Sequence, residues 1–419
     1  MVWFAATNLI LPFLVASFGN VYASVHILRN QCWHEVPPLS SVALQSSQDR
    51  KFEFAASYQP NHQRLKAHSP WTHKPVCTGH IDRLKSELCV YTDASFSNGR
   101  GISIFTTPQV ANDFVNLPAF RDAKAMAEGN INTFSGAWYT QSLPGKGIGM
   151  LAKKSLKFGD RVTAYTPALL AYLEAELGTM EREKYFRIAV SQLPKGTRDA
   201  FLQLATVYGD PRIRHQDVVK ANTFQLEISG RSHLAVFPET SRLNHACAPN
   251  AQYYLDPERL THFVHATRSI ARGEEITISY TSPLEPTNTR QQHLQSGFHF
   301  TCSCARCTDK VARDATLNQI KEMQKKLNDW SGTSSATPKL AEKLLQLYRK
   351  EGLEGFLDIP YGFAALAYNA AGKHKEAEKY ATKAKEAILM KDGLWSPNLG
   401  IWNELLQDPK KHWSYNRRI

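Results

Sequence analysis

Cysteine is scarce in this sequence, and the few cysteines are unevenly placed. Only 7 occur in 419 residues, too few for a small fold held together by disulfides. A chain of this length can instead bury two or three hydrophobic cores. The sequence also lacks any Asn-X-Ser/Thr acceptor, so no glycosylation signal supports a secreted protein.

No compact run of basic residues interleaved with aromatics occurs, although the formal net charge is +12. A positive surface favours acidic partners such as nucleic acid or anionic lipid. Without such a run, the excess of positive charge is typical of solvated, lysine-rich helices. The sequence therefore carries no strong sign of nucleic-acid binding.

The first 23 residues contain an uncharged apolar run, VWFAATNLILPFLVASFG. Small residues at Val21 and Ala23 precede Ser24, as a signal peptidase prefers. However, no Lys or Arg precedes the run, which is short for a membrane span and contains Pro12. A secretory signal, a membrane anchor and a buried segment all stay open. Localisation is then the secretory pathway for a signal peptide, and the nucleus or cytoplasm otherwise.

Short strands and turns are predicted for the middle of the chain. The stretches HLAVFP, THFVHATRSI and EEITISY have strand composition, and a helical pattern over 181–207 is broken at Pro194. From about Arg313 the pattern becomes helical, and AALAYNAAGKHKEAEKYATKAKEAI resembles one tetratricopeptide-type hairpin. Because one copy cannot form an array, we expect these helices to dock on the β-rich region. The predicted fold class is α+β.

A further compact stretch spans 71–106, with strands predicted around a turn at Asn98-Gly99. In an oxidising compartment Cys77 and Cys89 could pair, which would leave Cys32 unpaired. In a reducing compartment all three would be ordinary thiols.

Three of the other cysteines lie close together in FTCSCARC, at Cys302, Cys304 and Cys307. Cysteines this close in sequence form strained disulfides, whereas zinc binds four such ligands in a tetrahedron. Cys247 is the obvious fourth ligand, and a metal there would join the late segment to the one carrying Asn244-His245. The alternative is free or disulfide-bonded cysteines.

Three blocks together resemble the SET domain of protein lysine methyltransferases. They are PGKGIG (144–149), SRLNHACAPN (241–250) with GEEITISY (273–280), and FHFTCSCARC (298–307). Their order and spacing are most similar to the SET-and-MYND branch and its fungal relatives. The resemblance divides the chain into a leader (1–23), an N-terminal region (24–135), a SET domain (136–285), a post-SET zinc segment (286–310) and a helical region (311–419).

The resemblance implies a mostly β domain with a pseudoknot, in which the RLNH strand passes under the following segment. It implies S-adenosylmethionine as methyl donor, structural zinc, and a protein lysine as substrate. Tyr280 would be the catalytic tyrosine, and Ile278 and Phe298 would line the substrate channel. The donor would be bound by Lys146, Gly147, Asn222, Ser241, Asn244, His245 and Phe300.

The sequence departs from this branch in two ways. No cysteine lies between Pro144 and Asn222, so the zinc-binding MYND module is absent. Many relatives carry tyrosine where Phe298 stands, and Ile278 is aliphatic, which leaves the number of methyl groups added open. Two functions are compatible with these residues: an active protein lysine methyltransferase, with a histone or another protein as substrate, or a non-catalytic SET-fold interaction protein.

Overall fold

A computed structural model describes residues 68–418, so the predicted leader and Cys32 lie outside the described part. Its strands are β1 (Val76–Cys77), β2 (Cys89–Asp93), β3 (Ile102–Thr106), β4 (Trp138–Leu143), β5 (Gly147–Ala152), β6 (Arg161–Tyr165), β7 (Leu169–Tyr172), β8 (Thr223–Ile228), β9 (Arg231–Val236), β10 (Asn244–His245), β11 (Ala251–Asp256), β12 (Thr261–Ala266) and β13 (Thr277–Ile278).

The α-helices are, in chain order, α1 (Phe96–Gly99), α2 (Pro108–Asn116), α3 (Pro118–Arg121), α4 (Ala123–Glu128), α5 (Thr179–Ser191), α6 (Lys195–Leu202), α7 (Arg214–Asn222), α8 (Thr287–Phe298), α9 (Ala305–Thr308), α10 (Lys310–Leu327), α11 (Pro338–Lys350), α12 (Asp358–Ala370), α13 (His374–Lys391) and α14 (Leu399–Gln407). Across residues 68–418, none of the helices has the length and apolar character needed to cross a membrane.

The chain divides into two units. The sheet unit comprises 68–129 and Pro167–Pro238, and the site unit comprises Asn130–Thr166 and 239–418. The sheet unit is built on six strands in the order β1-β2-β3-β7-β9-β8. Only the β3–β7 pair is parallel. Helices α5 and α7 supply apolar side chains, including Phe186 and Val219, to the core of this unit.

The adjacent strands β2 and β3 are buried along their whole length. Their polar side chains are satisfied inside the sheet, because the Thr92 and Ser103 hydroxyls hydrogen-bond each other at 2.8 Å. A disulfide joins Cys77 to Cys89 across the β1–β2 pair, as the oxidised alternative predicts. The strands predicted on both sides of Asn98-Gly99 are confirmed.

The strands of the site unit form three small sheets. They are the β4–β5 hairpin, the antiparallel β11-β12-β6 sheet, and the short parallel pair of β10 and β13. The loop Pro144-Gly145-Lys146 connects β4 to β5, with positive φ at Gly145 (71°) and Gly147 (72°). Glycine adopts this left-handed backbone at little cost, which explains the two glycines of the GKG turn.

The helical region packs as antiparallel hairpins around one core. Helix α13 buries small residues at helical spacing, Ala377, Ala381, Ala384 and Ala387, which lets α12 approach closely. The helices also dock on the β-rich part of this unit, because the Gln252 side chain of β11 donates to the Gly355 carbonyl at 3.1 Å. The docking expected from a single hairpin is confirmed.

The predicted α+β class is confirmed, and the helix predicted over 181–207 is divided at Pro194 into α5 and α6. The predicted domain bounds stay predictions, and one sheet contains strands from both sides of the boundary between residues 135 and 136. Strand β3 lies before it and pairs with β7 after it. Parallel strands need a long crossover between them, so pairs this far apart in sequence leave no local signal.

We expect Gly362→Ala to destabilise the helical region. A Cβ atom at Gly362 in α12 would lie 2.7 and 2.8 Å from Cζ2 and Cη2 of Trp402. Overpacking of this kind costs about 1–3 kcal/mol, which outweighs a helix-propensity gain of at most about 1 kcal/mol. The measurement is thermal unfolding. The matched control is Gly400→Ala, another helical glycine with no atom within 4 Å of the added Cβ. Equal melting temperatures for the two variants would contradict the prediction.

Candidate functional site

The site is organised by the parallel pairing of β10 with β13. Asn244 lies opposite Thr277 and His245 opposite Ile278, and Ala246 N donates to the Ile278 carbonyl at 3.0 Å. The buried Asn250 reinforces the pairing: its Oδ1 accepts from Thr277 N at 2.8 Å, and its Nδ2 donates to the Glu275 carbonyl at 2.9 Å. This juxtaposition is the one that a pseudoknot requires.

Tyr280, two residues after β13, is held at both ends by the β10 segment. Its backbone N donates to Nδ1 of His245 at 2.9 Å, and its hydroxyl donates to the Leu243 carbonyl at 2.6 Å. Two hydrogen bonds to one segment determine both the position and the direction of the phenol ring. The hydroxyl oxygen and the Leu243 carbonyl oxygen therefore lie side by side.

His245 connects Tyr280 to the thiols. Because Nδ1 accepts a hydrogen bond, Nε2 carries the proton in the neutral ring, and it lies 3.2 Å from Sγ of Cys247. Burial lowers the pKa of His245 to about 3. The imidazole therefore stays neutral, and one tautomer joins the tyrosine to the sulfur.

Aromatic rings enclose Tyr280. Its ring centroid lies 4.7 Å from that of Phe298 and 6.5 Å from that of Phe300, and Phe300 also lies 6.1 Å from His245. Helix α8 ends between the two phenylalanines, where His299 adopts a left-handed conformation (φ 58°). This turn brings both rings against the same tyrosine.

The four cysteines predicted as metal ligands come together. The sulfurs of Cys247, Cys302, Cys304 and Cys307 all lie within 4.8 Å of one another, and those of Cys247 and Cys307 are 3.6 Å apart. A tetrahedral zinc site with Zn–S bonds of about 2.3 Å places its sulfurs about 3.8 Å apart. The donor set and its spacing fit zinc.

Thiols this close cannot ionise independently. Hydrogen bonds to the other three sulfurs raise the pKa of the Cys247 thiol. Hydrogen bonds from Cys247 and Cys302 lower the pKa of Cys304. A divalent cation among the sulfurs would compensate the charge of several thiolates at once.

A polar triad lies beside the Gly-rich turn. One carboxylate oxygen of Glu275 accepts from Lys146 Nζ at 2.6 Å, and the other accepts from Asn244 Nδ2 at 2.9 Å. Gly149 makes the close approach possible, because a Cβ there would lie 2.9 Å from Asn244 Nδ2 and 3.1 Å from Glu275 Oε1. The triad brings a cation, an anion and an amide together.

Three further residues with predicted roles lie in different elements of the chain. Ser241 lies in the short 3-10 helix Thr240–Arg242. Asn222 ends α7 in the sheet unit, where its amide donates to the carbonyls of Ala205 at 2.9 Å and Val218 at 2.8 Å. Ile278 is buried within β13 (1% exposed). The roles assigned to these three residues stay predictions, as do the roles of the other predicted site residues.

Glu275 and Asn250 organise the site through contacts that the sequence did not predict. Both lie inside motif blocks already recognised, GEEITISY and SRLNHACAPN. Glu275 is an acidic residue two positions before β13, and that position was the available signal for its role. Nothing in the spacing indicated that its partners would be Lys146 and Asn244.

The family model of the SET domain matches residues 147–281. The match contains both β10 and β13 together with Tyr280. The chain therefore contains a SET domain.

Named relatives match with different coverage. "Histone-lysine N-methyltransferase set5" of Schizosaccharomyces pombe is 26% identical over 277 residues, which cover 64% of this chain and 83% of that protein. "SET domain-containing protein SmydA-8, isoform A" of Drosophila melanogaster is 32% identical, covering 33% of this chain and 30% of that protein. Human "N-lysine methyltransferase SMYD2" is 37% identical, covering 25% and 24%. The chain thus spans most of the first relative and less than a third of the other two.

We expect Cys247→Ser to release zinc from the purified protein. Removing one of four thiolates weakens the site steeply, because structural zinc depends on the full ligand set. The measurement is metal content per chain after dialysis against a chelator, with thermal unfolding in parallel. The double variant Cys77→Ser/Cys89→Ser, which removes cysteines outside the cluster, should keep its zinc. Full zinc content in Cys247→Ser would contradict the fourth-ligand assignment.

Proposed function

We propose that this protein is an S-adenosylmethionine-dependent protein lysine N-methyltransferase, with residues 136–285 as its SET domain and 286–310 as the zinc segment. The observation that carries the proposal is the doubly anchored Tyr280, whose hydroxyl lies against the Leu243 carbonyl inside a wall of aromatic rings. The methyltransferase names of the relatives agree with it.

The residues of the site unit fit the chemistry of the donor. Its amino-acid end carries an ammonium and a carboxylate, which match the triad of Glu275, Asn244 and Lys146. Its adenine needs a flat apolar partner, which the half-buried Phe300 offers. When bound, S-adenosylmethionine supplies a methyl carbon activated by a positively charged sulfur, and the substrate lysine nitrogen accepts that methyl group.

Tyr280 is the residue we assign to catalysis. Its hydroxyl oxygen and the neighbouring Leu243 carbonyl present negative dipole ends, which favour a carbon that carries positive charge. Because both groups are already held in place by hydrogen bonds, they need little reorganisation during the reaction. Phe298 packs on the ring and excludes water from one side.

A non-catalytic SET-fold interaction protein is not favoured. A protein that only binds partners would need neither the anchored tyrosine nor the polar triad at the turn. Both are retained in this chain.

We expect Tyr280→Phe to lower methyl transfer about 10²-fold, the typical cost of losing one oriented polar group at a reacting centre. Donor affinity should be unchanged, because Phe keeps the ring. The measurement is transfer of a labelled methyl group to lysine peptide arrays and histone mixtures. Tyr139→Phe, an exposed tyrosine of β4, is the matched control. A full rate in Tyr280→Phe would remove the catalytic assignment.

We expect Asn244→Ala to abolish measurable donor binding without unfolding the protein. The change removes an amide from the triad but no part of the apolar core, since Asn244 is half-buried. Calorimetric titration with S-adenosylmethionine tests this, and a thermal melt checks the fold. Asn112→Ala, an exposed asparagine of α2, should bind like the unmodified protein. Unaltered affinity in Asn244→Ala would disprove the donor pocket.

A further inference from the structure

One buried arginine lies between two of the cluster cysteines and is used by neither the zinc chemistry nor the methyl transfer described above. Arg306 occupies α9, between Cys304 and Cys307, and its side chain is 3% exposed. Its Nη1 atom donates to the Cys247 carbonyl at 2.7 Å and to the Pro283 carbonyl at 2.9 Å. Its Nε atom donates to Glu351 Oε2 at 3.2 Å.

The two carbonyls belong to the two segments that build the candidate active site. Cys247 follows His245 by two residues, and Pro283 follows Tyr280 by three. One guanidinium, located between Cys304 and Cys307, therefore hydrogen-bonds to the segment that follows β10 and to the segment that follows β13. Its planar fork of donors suits several acceptors at once.

The orientation of this guanidinium is set from the helical region. Glu351 follows α11 directly, and its side chain is fully buried. Its second oxygen accepts from Arg313 Nη1 at 3.2 Å. A buried carboxylate held by two arginines has little freedom to move, and leaving it unpaired is costly. The turn after it also lies close to the SET segment, because a Cβ at Gly352 would be 3.1 Å from Cβ of Ala248.

We propose that Glu351 and Arg306 form a positioning pair through which the helical region sets the geometry of the thiol cluster and of Tyr280. The pair acts through backbone carbonyls and touches neither donor nor substrate. For Tyr280 the inference rests on the proposed methyltransferase function. For the thiol cluster it rests on the contacts alone.

The first test is the metal site itself. Glu351→Gln keeps the shape of the side chain but removes the charge that orients Arg306. Zinc affinity should fall about 10- to 100-fold, the usual effect of changing a group that orients metal ligands, so that zinc passes faster to a colorimetric chelator. After cobalt substitution, the visible bands of the thiolate-bound ion should shift, because they report ligand geometry directly.

A matched control separates positioning from general stability. Lys391→Gln breaks a different buried ion pair of the helical region, with Asp358 at 2.5 Å. It should lower the melting temperature while leaving the cobalt spectrum unchanged. If Glu351→Gln fails to fold, Arg306→Lys serves instead, since lysine keeps the charge but lacks the fork, and zinc release should still accelerate.

A kinetic arm separates this inference from the proposed function. In an active enzyme, Glu351→Gln should lower kcat for methyl transfer about 10-fold and leave KM for the donor unchanged. An altered cobalt spectrum in a protein that never transfers methyl groups would uphold the pair and reject the methyltransferase. An active Glu351→Gln enzyme with normal zinc release and an unshifted cobalt spectrum would overturn the positioning pair.

Discussion

The neutral imidazole of His245 is the interaction on which the rest of the site depends. It accepts a hydrogen bond from the backbone of Tyr280 on one side and faces the sulfur of Cys247 on the other. One ring thereby couples the tyrosine that we assign to catalysis to a thiol of the proposed zinc site. The coupling works only while the ring is uncharged, and its burial ensures this.

Three sets of contacts hold the segments around His245 in place. The β10–β13 pairing gives the segments their register, and Asn250 fixes that pairing from outside the ladder. The aromatic turn at the end of α8 gives Tyr280 its apolar wall. The helical region contributes the buried carboxylate behind Arg306. A SET domain and a helical tail, which look separable in sequence, therefore share one set of polar contacts.

Much of this could be predicted from the sequence, for identifiable reasons. The strands around residues 89–106 and the helices after residue 310 follow from local composition and periodicity. The meeting of Cys247 with the later trio follows from counting ligands, because zinc needs four. The convergence of Asn244, His245 and Tyr280 came instead from the resemblance of motif blocks. The Glu275 contacts and the Arg306–Glu351 pair could not be predicted, since charged partners 129 and 45 residues apart are chosen by the tertiary fold.

The span between the cluster cysteines has a consequence for how the protein matures. Cys247 and Cys307 are 60 residues apart, so bringing them together closes a loop whose entropic cost is about 3.6 kcal/mol plus a constant. A metal ion bound at the proposed site would offset that cost only in the folded chain, and the folding equilibrium would then depend on the zinc concentration. The trio 302–307 lies within six residues, whereas the fourth sulfur comes from a segment that precedes the β11–β12 hairpin. With zinc at that site, a cell short of the metal would hold fewer native molecules.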